Sequence, residues 1–148
     1  MAQTTTFLRE CDVVVSLDDA DGNVCDISGS ANEVSVELSE RTEVLYKFGS
    51  DYPSRFSLGR DVIISLLVVF TTTTDEGADI LKNWAFASSF AARTCSVYIP
   101  DATAGSDMIS GEFVLETCSL GGSAASGDPM IVRAVLAAHG EITLSTVA

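Results

Sequence analysis

Alternation of polar and apolar residues along the chain constrains its fold more than any other feature. In the segment EVSVELSE, residues 33–40, Val34, Val36 and Leu38 point to one side and the glutamates and serines to the other. This two-residue period is typical of strands with one packed face. The other predicted strands are residues 11–17, 42–48, 61–71, 94–99, 111–118, 130–139 and 141–146.

One segment, TDEGADILKNWAFASSF at residues 74–90, departs from this period. Ile80 and Trp84 recur at helical spacing, and acidic residues crowd its start, where a helix dipole favours negative charge. Thr74 or Asp75 is the predicted N-cap, and Trp84 is predicted to lie in the core. The sequence therefore predicts a mainly β fold: two packed antiparallel sheets, sandwich- or barrel-like, with one flanking helix around residues 75–90.

The length of 148 residues predicts a single domain over 1–148. We expect a flexible N-terminal arm at residues 1–10 and a long interaction loop near 48–59, where GSDYPSRFSLG carries turn residues and aromatics. The longest apolar run, residues 62–70, is well short of the ~18 residues that a membrane-spanning helix needs. We therefore expect no membrane association.

Charge and hydropathy limit the classes of partner that the protein can have. Eight Lys and Arg against 21 Asp and Glu give a net charge of -13, which excludes a protein that grips nucleic acid through its phosphates. Only 20% of residues are charged and the mean hydropathy is +0.31. Such a composition indicates either apolar surface buried against other copies or a core rich in alanine and valine.

The acidic stretch LDDADGNVCDIS, residues 17–28, raises the possibility of a calcium loop. If Gly22 takes the sixth position of such a loop, Leu17 and Ser28 fall at the first and twelfth, where carboxylates are required. Strands rather than helices are predicted on both sides. Asp21-Gly22 instead predicts the turn of a β-hairpin, because glycine tolerates positive φ.

Catalytic and metal-binding patterns are missing from the sequence. There is one histidine, His139, and no GxSxG, Walker A, GxGxxG or CxxC pattern. We predict no catalytic site, no metal site, no cofactor and no enzymatic activity. The four cysteines are predicted to be free thiols, mostly buried: Cys11, Cys25, Cys95 and Cys118.

Residues 26–66, DISGSANEVSVELSERTEVLYKFGSDYPSRFSLGRDVIISL, resemble the tail tube proteins of long-tailed bacteriophages. The matching positions are Asp26, Ser28, Gly29, Asn32, Glu33, Phe48, Gly49, Arg55, Gly59 and Ser65. The resemblance continues in order through the helix with Trp84, the segment CSVYIPD, the strand from Gly111, a Gly/Ser loop and the closing LAAHGEITLST. It covers most of the chain.

This resemblance implies a structural virion protein whose copies form rings, hexameric in the family, stacked into a hollow tail tube for DNA ejection. It implies self-association, contact with tape measure, tail tip and tail terminator proteins, and passage of DNA that does not stick to an acidic lumen. The implied location is the virion tail, assembled in the host cytoplasm.

Two sets of residues follow as candidates for these roles. The candidates for the subunit or ring interface are Phe48, Tyr52, Pro53, Arg55 and Phe56. The alternative is a loop folded onto its own domain. The candidates for an acidic lumen are Glu33, Glu37, Glu112 and Glu116. The alternative places them on the outer wall of the tube.

Two other functions remain open from the sequence. The first is the tube protein of a contractile injection or type VI secretion system, which has the same fold. The second is a β-sandwich carbohydrate-binding module, which would need an exposed aromatic platform. The one tryptophan, Trp84, is predicted on a helix and does not supply one.

Overall fold

The computed structural model describes residues 13–88, 91–123, 125 and 127–148. The predicted N-terminal arm at residues 1–10 lies outside them. The described part contains eight strands and one helix: β1 (Val14–Asp18), β2 (Val24–Asp26), β3 (Ala31–Leu45), β4 (Ser54–Val69), α1 (Gly77–Ala85), β5 (Arg93–Ile99), β6 (Asp107–Gly121), β7 (Ile131–Ala138) and β8 (Thr143–Thr146).

All eight strands are hydrogen-bonded in one antiparallel sheet, in the order β2-β1-β5-β6-β7-β4-β3, with β8 beside β6. Strand β6 pairs with β5 through residues 107–113 and with β7 through residues 113–121. The prediction of a mainly β, antiparallel fold with one helix is confirmed. Because β6 pairs with both β5 and β7, the hydrogen bonds form one continuous sheet where the sequence predicted two.

The core lies on one side of this sheet and is covered by α1. Alternate residues of β4 are buried, as the two-residue period requires, and Ile80, Leu81 and Trp84 of α1 pack against them. The Trp84 indole donates a hydrogen bond to the Ala91 carbonyl at 2.9 Å, and the Arg93 guanidinium lies 5.0 Å from the centre of its ring. Trp84 is therefore a core residue, as its spacing predicted.

The helix is shorter than its acidic sequence suggested. Its N-cap is Glu76, whereas the sequence predicted Thr74 or Asp75, and its last residue is Ala85. Asp75 has a φ of 62°, which a helix cannot contain. A Cβ on Gly77 would lie 3.0 Å from the Ser30 hydroxyl oxygen, so glycine allows the helix to start close against that segment.

Residues 27–30 link strands that are distant in the sheet order. The Ile27 amide donates to the Val15 carbonyl at 2.9 Å, and the Ser28 hydroxyl accepts from the Val15 amide at 2.8 Å. Two residues later, the Ser30 carbonyl accepts from the Val69 amide at 2.9 Å. This segment thus joins β1 to β4, and the sheet closes around its core.

We expect Ser28→Ala to lower the free energy of unfolding by about 1–3 kcal/mol, because the amide of fully buried Val15 loses its acceptor. Denaturant unfolding of the unassembled protein measures this. The matched control is Ser35→Ala, an exposed position on β3, which should change stability by less than about 0.5 kcal/mol. Equal stabilities of the two variants would contradict the role given to Ser28.

Candidate interface for self-assembly

Strands β3 and β4 continue past the core as a protruding hairpin, which we call the arm (residues 39–60). The two strands stay paired up to Leu45 and Ser54, and within the arm all side chains except Val44 are exposed. The tip, residues 46–53, contains a turn in which the Ser50 amide donates to the Lys47 carbonyl at 3.4 Å and Gly49 has a φ of 76°. A positive φ at this turn position favours glycine.

The arm corrects the extent of the predicted loop over residues 48–59. Residues 54–59 belong to β4, where Arg55 and Phe56 pair with Val44 and Glu43. The unpaired part is therefore shorter and begins earlier. Regular strand pairing was hidden in the sequence because a register shift between Arg41 and its successor interrupts the alternation.

All five predicted interface residues lie on this arm. Phe48, Tyr52 and Pro53 are in the tip, and Arg55 and Phe56 are in its β4 strand. Phe48 is fully exposed and Tyr52 is 82% exposed, so the loop does not fold back onto its own domain. Exposed apolar residues that the sequence analysis missed are Leu45, Tyr46 and Leu58.

An apolar, protruding hairpin needs a partner. Two-stranded hairpins are at best marginally stable in water on their own. Large exposed aromatic and apolar side chains concentrated on one extension are typical of an interaction surface, since tyrosine and arginine are frequent anchors of protein interfaces. The arm is therefore the strongest candidate interface among the described residues.

Charge is divided unevenly between the arm and the rest of the chain. The arm holds four of the eight bases and three of the 21 acids, so it carries +1 and the remainder carries -14. Arg60 lies 3.9 Å from Glu40. Arg41, Lys47 and Arg55 form no ion pair with another residue that the structure describes. The arm thus presents unpaired cations on a strongly acidic protein.

The predicted lumen acids separate into three on one face and one at a bulge. Glu33 and Glu37 alternate with core-facing Val34 and Val36, so they lie on the sheet face opposite the core. Glu112 precedes the buried Phe113 and shares that opposite face, where its carboxylate accepts a hydrogen bond from the Thr94 hydroxyl at 2.6 Å. Glu116 lies at the register shift of β6.

Two further charged residues belong to this acidic face. Asp61 precedes core-facing Val62 on β4. Arg133 of β7 and Glu33 of β3 pair with the same β4 residue from its two sides, so Arg133 lies on the same face as Glu33. The sequence analysis missed them because both sit in predominantly apolar strands, where cross-strand pairing, not local alternation, assigns the face. The face thus carries mainly negative charge, with Arg133 as a cation among the acids.

Besides the short strands β2 and β8, which pair only with β1 and β6, two longer strand edges of the described sheet have no partner strand. β3 pairs only with β4, and the second half of β6 pairs only with β7, since β5 ends opposite Phe113. The edge of β3 next to the core spans residues 31–38, and that of β6 spans residues 114–121. Exposed edges of this kind add strands from other chains.

The acidic turn of residues 19–23 is a hairpin connection, as predicted, but longer than two residues. The Asp19 carboxylate accepts from the amides of Asp21 and Asn23 at 2.8 Å each, and from the Asn23 side chain at 3.0 Å. The hydrogen bond from the Asn23 side chain has the largest effect, and together these hydrogen bonds hold the pKa of Asp19 below its ordinary value. In the described part of the chain, no group of three or more acidic, cysteine or histidine side chains could hold a metal ion.

Three of the four predicted free thiols lie among the described residues, and Cys11 lies outside them. Cys25, Cys95 and Cys118 are free, and burial raises the pKa of Cys95 to about 12, which leaves it unreactive at neutral pH. The His139 amide donates to the Glu112 carbonyl at 2.8 Å, where β7 ends. None of the described helices is long and apolar enough to span a membrane.

No protein-family model and no curated protein matches the chain. Among solved structures, it is similar to a chain in the tail of a gene transfer agent particle, refined with C6 symmetry, at 18% identity and a TM-score of 0.70, covering 97% of this chain and 99% of that one. The SPP1 tail tube protein is 10% identical with a TM-score of 0.74, covering 95% and 80%.

A chain of the sheath-tube complex of PVC, an extracellular contractile injection system, is 16% identical with a TM-score of 0.69, covering 97% and 94% of the two chains. These alignments cover nearly the whole chain. Identities this low concern the fold rather than the activity. The chain has the fold of tail tube proteins.

Proposed function

We propose that this protein is a non-enzymatic structural subunit whose copies form rings, six to a ring, that stack into the tube of a phage tail. The observation that carries the proposal is the arm, an exposed hairpin rich in apolar side chains and unpaired cations, on a chain with the tail tube fold. A monomer gains nothing from such an extension, whereas a polymer buries it.

The free edges of the sheet suggest how a ring closes. In the order β3-β4-β7-β6, neighbours alternate in direction, so β3 and β6 run in opposite senses. The second half of β6 in one copy can therefore pair antiparallel with β3 of the next, and both free edges are eight residues long. Such head-to-tail contacts generate rings when the rotation closes. Six copies would contribute 24 strands to one barrel, which leaves no free edge.

In that barrel, the face opposite each core would line the lumen. It carries Glu33, Glu37, Asp61 and Glu112, with Arg133 among them. Carboxylates on a narrow wall repel the phosphates of passing DNA, so the DNA slides without being held. Glu116, at the β6 bulge, would lie beside the subunit boundary.

The remaining partners follow from this role. A tube of this kind would enclose a tape measure protein, end at tail tip and tail terminator proteins, and belong to the virion tail after assembly in the host cytoplasm. The tube protein of a contractile injection system is the second candidate, because the PVC complex contains a chain of the same fold. A neighbouring tape measure gene of phage type would separate the two.

We expect the purified protein to form rings or tubes that negative-stain electron microscopy can image. Replacing residues 41–59 by Asn-Gly, between the facing residues Glu40 and Arg60, should abolish tubes. The shortened protein should keep a β-type far-UV circular dichroism spectrum and a cooperative melting transition, because the core contains no residue of the arm. Tubes formed without the arm would contradict its role.

The lumen assignment can be tested by thiol labelling of assembled tubes. We expect Glu37→Cys to react with a small maleimide but not with a maleimide on a large polyethylene glycol, because the polymer cannot enter the tube. Ala85→Cys, at the exposed end of α1 on the other side of the sheet, should react with both. The labelling of the parent protein, which has its own cysteines, is subtracted from that of each variant. Attachment of the large polymer to Glu37→Cys in assembled tubes would contradict the assignment.

A further inference from the structure

An open groove of about 610 Å³ lies at the base of the arm, between the β3-β4 pair and the link from β7 to β8. Its walls include Leu38 and Leu144, which are 69% and 72% exposed, together with Val62 and Ile142. Leucines this exposed, facing one concave space, are typical of a site that another chain fills.

The groove has an acidic rim. Glu141 borders it, and Glu40, also at the rim, lies 3.9 Å from Arg60, which lines the groove as well. A glycine shapes the floor: a Cβ on Gly111 would lie 3.2 Å from the Glu141 carbonyl oxygen, so its absence lets the link between β7 and β8 settle onto β6. The groove therefore combines an apolar floor with negative charge.

The arm of the same chain cannot fill this groove. Five residues of β3, 41–45, separate the groove from the tip, and the six steps from Glu40 to Tyr46 at about 3.3 Å each place the tip roughly 20 Å away. The paired strands hold it there, since their register continues to Leu45 and Ser54. An occupant with the chemistry of the tip must come from a second copy.

The tip matches the groove in chemistry. Phe48 follows Lys47 in the turn, and both side chains are exposed, so the tip offers one apolar ring and one ammonium group to a partner. Lys47 forms no ion pair among the described residues, and the arm carries +1 against -14 on the rest of the chain. An aromatic anchor flanked by a cation suits an apolar floor with a carboxylate rim.

We propose that the groove at the base of the arm receives the arm tip of a second copy, with Phe48 on the Leu38–Leu144 floor and Lys47 against the Glu141 carboxylate. This rests on the proposed tube function and names the contact that would link its copies. Because each chain has one tip and one groove at different places, the contact is head-to-tail and propagates. One end of a growing assembly presents tips, and the other presents grooves.

The test is a charge exchange across the contact, measured as the protein concentration at which pelletable assemblies first form. Lys47→Glu should raise this concentration by about tenfold or more, since it places like charges together. Adding Glu141→Lys should restore it to within about threefold of the parent. The control is the double variant Lys47→Glu with Asp21→Lys, which has the same net charge but alters the β1-β2 turn. Its assembly concentration should stay as high as that of Lys47→Glu alone.

A second variant tests the apolar half of the contact. Phe48→Ser should weaken assembly without changing the circular dichroism spectrum, because the side chain touches no core residue. If the parent forms tubes but neither Phe48→Ser nor Lys47→Glu weakens them, or if Asp21→Lys rescues as well as Glu141→Lys, this contact is wrong and the tube function stands. If the parent forms neither rings nor tubes, both proposals fall.

Discussion

The fold depends on a short segment, residues 27–30, that bonds to two strands far apart in the sheet. Its amide, hydroxyl and carbonyl groups satisfy the backbone of Val15 on one side and Val69 on the other. Ile27, almost fully buried, anchors it beneath the start of α1. Without this link, the sheet would have an open seam beside the core, and the amide and carbonyl of buried Val15 would lack these partners. The closure lets one sheet enclose a core.

Strands β3 and β4 are longer than the core requires. We call the chain without the arm the body, and the parts of these strands that extend past it form the arm. Alternate residues of β4 from Val62 to Val68 pack on the core, while residues 54–61 of the same strand carry no buried side chain. Hydrogen bonding to β3 continues through both parts, so the arm is held straight by the sheet that the core stabilises. Core and interface thus share two strands. A paired extension loses less conformational entropy on assembly than a loose loop would.

Electrostatics divide the same way. The body carries nearly all the excess negative charge, and copies of it repel one another. Half of the chain's bases lie on the arm, where apolar side chains accompany them. Apolar burial supplies attraction that salt does not screen, and the cations direct it toward acidic surface. The carboxylates that remain, on the face opposite the core, are free to act on whatever passes along it.

Much of this could be predicted from the sequence, because strand periodicity and helix spacing are local. Val34 and Val36 were assigned to the packed side and Trp84 to the core, and Phe48 and Tyr52 were interface candidates in a loop. The register of distant strands is not local. The face of Asp61, the strand identity of Arg55 and Phe56, and the single sheet through β6 all follow from hydrogen bonds between segments far apart in sequence.

The sequence by itself determined the type of fold and the acidic character, since these depend on residue identity and short spacing. Only the tertiary structure decided where the acids gather, how the sheet closes at residues 27–30, and that Leu38 and Leu144, 106 positions apart, line one groove. Pairing between remote strands brings such residues together, and no pattern within a single strand encodes its partner.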